Sequence, residues 1–305
     1  MQDIAAEPRN KFQALCSTKH GEILAATHFQ SLSTDPAGQA RFRSASAKHA
    51  GAWLDGAVYY RDSLMTHEEF CTAARLRLGL PHPEMQGRLV CLCGKPVEEL
   101  GHHHLHRGTA SEVIQTHNGM RDCLLSIFER AGFLLQKERL NQLLSTGAGF
   151  NNMKTDLVLT KGGRKILVDV TVRNPTASSV LIRAAGQDRW AATLGERQKA
   201  SKYMASVPPG VRFLPASFEC YGAWGTQITG FMASIMPAIV EGHSSHPKVQ
   251  RLQNRLYLQI SAAIAGGTAK NLLTKFANLQ GPRSAPTAPA ARQESTRRLL
   301  SDIRH

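Results

Sequence analysis

The chain has 305 residues, 42% of them hydrophobic, which is enough to bury one large core with accessories and excludes an extended polar tail as the whole molecule. Lysine and arginine number 37 against 23 acidic residues, a formal charge of +14 whose field draws polyanions; nucleic acid is the first partner to consider, beside a basic enzyme with a solubilising surface. Six cysteines scattered from Cys16 to Cys220 exclude a disulfide scaffold and fit a reducing compartment, and the longest apolar stretch, Ile228 to Val240 with Pro237 inside it, is too short to span a bilayer.

Residues 10–50 alternate short apolar clusters with Lys, Arg and Ser and predict one or two modest helices. Thr66, followed by Glu68, Glu69 and the apolar Phe70, Ala73, Ala74 and Leu76, predicts a capped helix to Leu78, closed by Gly79 and Pro81. A Cys/His-rich stretch from Cys91 to His106 follows. From Ser111 to Arg130 apolar residues recur on one helical face, with Gly132 where the helix ends. Strand patterns cover Phe133 to Glu138, Lys154 to Thr160 and Lys165 to Val172, the last two joined by a hairpin signature at Lys161, Gly162, Gly163 and Arg164. A helical region from Ser178 to Met204, broken at Gly186 or Gly195, leads through Pro208, Pro209 and Gly210 to a strand at Val211 to Glu219. Further helices run through Ala277, and Gly281 to Arg292 has the Pro, Ala and Ser content of a disordered tail. The order is that of an α/β protein. It divides into a helical segment over 1–85, a Cys/His element over 86–108, a core over 109–245, C-terminal helices over 246–279 and a tail over 280–305.

A two-residue turn at Gly162 and Gly163 sets Asp156 opposite Asp169, with Leu157 facing Val168, Val158 facing Leu167 and Leu159 facing Ile166. Both faces of this ribbon are apolar apart from the two carboxylates. Like charges opposed across strands repel, and burial raises the cost unless a proton or a cation neutralises them. Mg2+ or Mn2+, taking one or two carboxylates plus water and phosphate oxygens, is an economical answer, and Glu138 can supply a third carboxylate. The bland alternative is a register shifted by one residue, or one aspartate at a solvated strand end. A nuclease site also needs a cation near the phosphate. Thr171, two residues after Asp169, is not one, and the candidates are Lys199 and Lys202, which with Tyr203 fall at helical spacings on one face.

Cys91 and Cys93, then His102, His103, His104 and His106, offer ligands suited to tetrahedral Zn2+. With no carboxylate around an open position, such a zinc is structural. The alternative is a surface histidine run beside two unrelated cysteines.

From Ser44 to Ile235 the sequence resembles the restriction-like endonuclease region that follows the reverse transcriptase in non-LTR retrotransposon proteins. The resemblance rests on order and spacing: Ala52, Trp53, Leu54; Arg77 to Pro81; a knuckle reading Cys91, Leu92, Cys93, Gly94, then His103, Leu105 and His106; Thr116, His117, Asn118 for Arg-His-Asn; Glu138; Thr155 and Asp156 for Pro-Asp; Asp169 to Val172 for Asp-Val-Thr-Val; Lys202 and Tyr203; and Pro215, Glu219 and Gly222. It implies a PD-(D/E)xK, restriction-endonuclease-like core, a central mixed sheet flanked by helices, over 109–245. Glu138, Asp156 and Asp169 would hold metal, and Lys199 or Lys202 would assist. Cys91, Cys93, His103 and His106 would hold zinc, and His117, Asn118 and Tyr203 would contact nucleic acid. The implied activity is nicking of genomic DNA to prime reverse transcription, in the nucleus. Its partners are DNA and element RNA, with a reverse transcriptase domain in cis or in trans. The sequence departs from the family pattern at His106, where a cysteine is usual, at Thr116, where an arginine is, and at Thr155, where a proline is.

Two function classes stand side by side: the metal-dependent nuclease, and a zinc-supported module that grips nucleic acid without cutting it. A basic enzyme acting on small anions is a third, but no Gly-rich phosphate loop supports it.

Overall fold

The computed structural model describes residues 6–56, 65–86, 98–105, 110–137, 155–241 and 246–277. Four helices come first: α1 (Ala6–Ser31), α2 (Pro36–Ala45), the single turn α3 (Trp53–Gly56) and α4 (His67–Leu78). They are followed by α5 (Ala110–Arg130), β1 (Leu134–Lys137), β2 (Leu157–Lys161), β3 (Arg164–Arg173), α6 (Leu181–Gly186), α7 (Trp190–Tyr203), β4 (Arg212–Glu219), α8 (Thr226–Val240) and α9 (His246–Ala277). The fold is α/β. Its sheet has the order β1-β2-β3-β4, antiparallel except for the parallel pair β3 and β4, which α6 and α7 connect as a crossover.

Local chemistry explains the boundaries. At the start of α4, Thr66 Oγ1 accepts from the Glu69 N–H at 3.1 Å and Glu69 Oε2 accepts from the Thr66 N–H at 2.9 Å, a reciprocal cap; Gly79 at φ 66° closes the helix. Gly162 at φ 55° and Gly163 at φ 75° make the left-handed two-residue turn that a tight hairpin demands. The register is the expected one, Leu157 opposite Val168, Val158 opposite Leu167 and Leu159 opposite Ile166. The helical region after β3 breaks just past Gly186, whereas Gly195 lies inside α7. A Cβ on Gly195 would come within 2.5 Å of Ser217 Oγ on β4 and 3.1 Å of Arg173 Nε, so this glycine serves close approach of helix to sheet. α1 spans 26 residues and is longer than the modest helices expected, since Gly21 weakens a helix without ending it.

The strands bury different side chains on their two faces. On one, Leu157, Leu159, Val168, Val170, Leu214 and Phe218 share a core with Met120, Leu124 and Phe128 of α5, Ile228 and Phe231 of α8, and Leu256 and Ile260 of α9. On the other, Val158, Leu167 and Phe213 pack on Tyr203 of α7. Each large apolar side chain buried in this way contributes about 1.5–3 kcal/mol. Asp169 has the parity of Leu167 and therefore belongs to the α7 face. A separate cluster of Leu76, Met85, Tyr221, Leu272 and Phe276 anchors the end of α9. Among the described residues no helix is long and apolar enough to cross a membrane.

Candidate active site

Backbone pairing of β2 with β3 stops at Leu157, and Asp156 continues it by one rung with its side chain: Asp156 Oδ2 accepts the Val170 N–H at 2.6 Å. The same oxygen lies 3.1 Å from Nε2 of His117 on α5. Asp169 sits in mid-strand, paired on its other side with Pro215 of β4, and is only 3% exposed. Lys199 of α7 brings Nζ to 2.5 Å from Asp169 Oδ2, and Tyr203, one turn later, also hydrogen bonds to Asp169. Asp156, one residue before β2, and Asp169 in mid-β3 thus flank the Leu157–Val168 pair, each acid with its own partner.

Their electrostatics follow from burial and neighbours. Burial pushes the Asp169 carboxyl above its ordinary value and Asp156 adds to the rise, while Lys199 and Tyr203 oppose it. The hydrogen bond to Asp156 raises the His117 imidazole above its usual range, against the effect of burial. Burial first, then the charge of Asp169, pushes the Tyr203 phenol upward, so it remains a donor at any physiological pH.

Three hydrogen bonds to buried carboxylates hold the supporting helices. Glu219, at the end of β4, accepts the Ala192 N–H at 3.1 Å at the start of α7. Glu196 of α7 accepts the Gln227 N–H at 2.8 Å and the Thr226 hydroxyl at 2.9 Å at the start of α8. Carboxylates at helix N-termini complement the helix dipole, and together these fix α7 and Lys199 against the sheet. Thr116, standing where the resemblance has an arginine, donates its hydroxyl to the Gly267 carbonyl at 2.9 Å and ties α5 to α9 one residue before His117.

The anticipated residues fare differently. Asp156, Asp169, Lys199, Tyr203 and His117 come together. Asn118 meets His117 through Oδ1 at 3.4 Å from Nδ1. Lys202 does not join them. It is exposed, with Nζ 4.8 Å from the Tyr203 ring centroid, because the face of α7 on the sheet is centred between Lys199 and Tyr203, and Lys202 points about 100° away from the adjacent Tyr203. Glu138, Cys91, Cys93 and His106 lie outside the described residues. His103 begins a short 3-10 turn to Leu105 and donates its backbone N–H to Glu98 Oε2 at 3.2 Å; His102 Nδ1 lies 3.1 Å from Glu98 Oε1.

Two neighbouring histidines are more unusual. His82 and His104 are buried, all four of their ring nitrogens are without a hydrogen-bond partner, and burial pushes both imidazoles down to about 4. Neutral imidazoles with free nitrogens are what a metal ligand requires. The sequence pattern passed over His82 because it precedes the Cys/His run. Among the described residues no group of three or more His, Cys, Asp or Glu side chains is gathered tightly enough to hold a metal ion.

The pairing of His117 with Asp156 was also not legible in the sequence, since no local spacing joins α5 to the start of β2. No protein-family model matches this chain, and no curated protein matches it.

Proposed function

We propose that the chain is a divalent-metal-dependent DNA endonuclease whose core, over 109–245, is of the restriction-endonuclease-like kind. One observation carries the reading: Asp156, just before β2, and Asp169 in β3 lie close enough on a largely apolar sheet for Asp156 to raise the Asp169 carboxyl, with a lysine from a helix on the buried acid. Asp156 and Asp169 supply hard oxygen donors that suit Mg2+ or Mn2+ retaining water and phosphate ligands, and Glu138 is a third candidate. When bound, such an ion supplies Lewis-acid stabilisation of the phosphoryl group. Lys199 orients Asp169 and sets an ammonium where an attacking water or a phosphate oxygen would sit. His117, held by Asp156 and biased toward its protonated form, contacts the phosphate or the leaving oxygen. Tyr203, one turn further along α7, also hydrogen bonds to Asp169. The formal charge of +14 favours encounter with DNA.

In this reading the nick provides the 3′ hydroxyl that primes reverse transcription in the nucleus. The reverse transcriptase acts in cis or in trans and element RNA is the template. A structural Zn2+ on Cys91, Cys93, His103 and His106 supports the module, and the neutral His82 and His104 are further ligand candidates.

A second reading has its own observation. Lys199 and His117 already offset the two carboxylates, so the pair can persist in a module that binds nucleic acid without cutting it. Supercoiled plasmid incubated with the parent chain, with Mn2+ and with EDTA, separates the two. Mn2+-dependent conversion to open circles that Asp156→Ala lacks supports the nuclease. Salt-sensitive binding with no nicking leaves the binding module.

A further inference from the structure

A cavity of about 520 Å3, apart from the two aspartates, opens among α1, α2, the turn between α6 and α7, α8 and α9, in the size range of small-molecule sites. Its aromatic wall is built around His49, whose ring stacks on Tyr257 with centroids 3.5 Å apart and planes 6° from parallel; Trp224 lies 5.9 Å from Tyr257 and 6.1 Å from His49. Trp224 is 5% exposed, and its indole N–H is buried without an acceptor. An orphaned buried donor costs about 1–3 kcal/mol, a local cost borne beside the aromatic wall.

The rim is cationic. Arg43 is spent on Asp188, with Nη1 to Oδ1 at 2.7 Å, which neutralises the single acid lining the cavity. Lys48 and Arg189 also line it, and among the described residues no acidic side chain pairs with either. Backbone strain points to the same place. Among the described residues only two that are not glycine have positive φ, His49 at 67° and Arg189 at 57°, and both line this cavity. Such conformations cost about 1–3 kcal/mol each for residues with a side chain and gather where a site needs them. Burial and Lys48 also lower the His49 imidazole, so the ring stacks in its neutral form.

We propose that this cavity takes a single unpaired nucleotide, its base against His49, Tyr257 and Trp224 and its phosphate on Lys48 and Arg189. The proposal rests on the nucleic-acid partner of the reading above, but not on cleavage. It gives the chain a means to grip an extrahelical or single-stranded base, since base stacking on aromatic side chains is tolerant of sequence.

Calorimetric titration of the full chain with dAMP, deoxyadenosine and inorganic phosphate tests it. The expected result is saturable binding of dAMP at one site, with deoxyadenosine weaker by about fivefold or more, the loss of one charge-assisted contact. His49→Gly and the double variant Lys48→Ala with Arg189→Gly should each weaken dAMP by about tenfold or more. Glycine is at ease at the positive φ of positions 49 and 189, so these variants keep their fold, which circular dichroism checks. Absence of saturable dAMP binding, or an affinity that either variant leaves unchanged, overturns the proposal. Plasmid nicking by the parent chain keeps the two readings apart: nicking without dAMP binding removes the cavity alone, and dAMP binding without nicking removes the nuclease alone.

Discussion

Lys199 Nζ lies 2.5 Å from Asp169 Oδ2, and this contact joins the α7 crossover helix to the strand that carries the buried acid. Lys202, three residues further along, points to solvent and rests on the Tyr203 ring. Lys199→Met should therefore reduce nicking by about 100-fold or more, the usual cost of removing one preorganised electrostatic group, whereas Lys202→Met should change it by less than about tenfold. Single-turnover nicking rates check this. Equal losses in the two variants would mean that α7 serves DNA binding through its overall charge.

The Asp156 partner titrates in a useful range. Because the hydrogen bond to Asp156 raises His117 above its ordinary 6.5, the pair's contribution to stability is fully present below pH 6.5 and is lost as pH rises through the folded-state value. Urea unfolding of the parent and of His117→Gln at a series of pH values should show the parent's advantage shrinking above pH 6.5. A parent advantage that grows with pH would show that His117 is held as a neutral ring.

His82 and His104 have the opposite sign. Burial lowers both to about 4, so the unfolded chain takes up protons between the ordinary 6.5 and about 4 while the folded chain does not. Stability is complete above 6.5, falls through that window and then levels off as far as these two groups are concerned. Replacing both by Leu should flatten the decline between pH 6.5 and 4 in the same unfolding measurement. An unchanged slope would remove these histidines as its source.

Gly195 tests how closely the helix must approach the sheet. Gly195→Ala would press a methyl into Ser217 Oγ and Arg173, one turn before Lys199. Overpacking of this sort costs about 1–3 kcal/mol, and a shifted α7 carries Lys199 off Asp169. Thermal melts should register the first effect and nicking rates the second.

Much of the scaffold is legible in the residues themselves, for reasons that are local. Thr66 with Glu69, and Gly162 with Gly163, specify a helix start and a hairpin turn within a few positions, and the hairpin in turn fixes the register out to Leu157 opposite Val168. Contacts made between distant segments are not legible in this way. The Asp156 side chain substitutes for a backbone partner of Val170 and receives His117 from α5, and neither relationship leaves a periodic trace. Gly195 shows the same limit, since glycine in a helical pattern reads as a break, whereas here it is the point where α7 touches β4.

The central claim is that Asp156 and Asp169 form a catalytic centre rather than charged groups kept for stability, and Asp169→Asn tests it most directly. Burial and Asp156 raise the Asp169 carboxyl above its ordinary 3.8 in spite of Lys199, so its ionised form costs stability as pH rises from 3.8 through the folded-state value. The neutral amide should leave the fold at least as stable as the parent at pH 7, while Mn2+-dependent nicking of supercoiled plasmid falls by about 100-fold or more. A variant that nicks like the parent, or one that unfolds while the parent itself shows no metal-dependent nicking, contradicts the account.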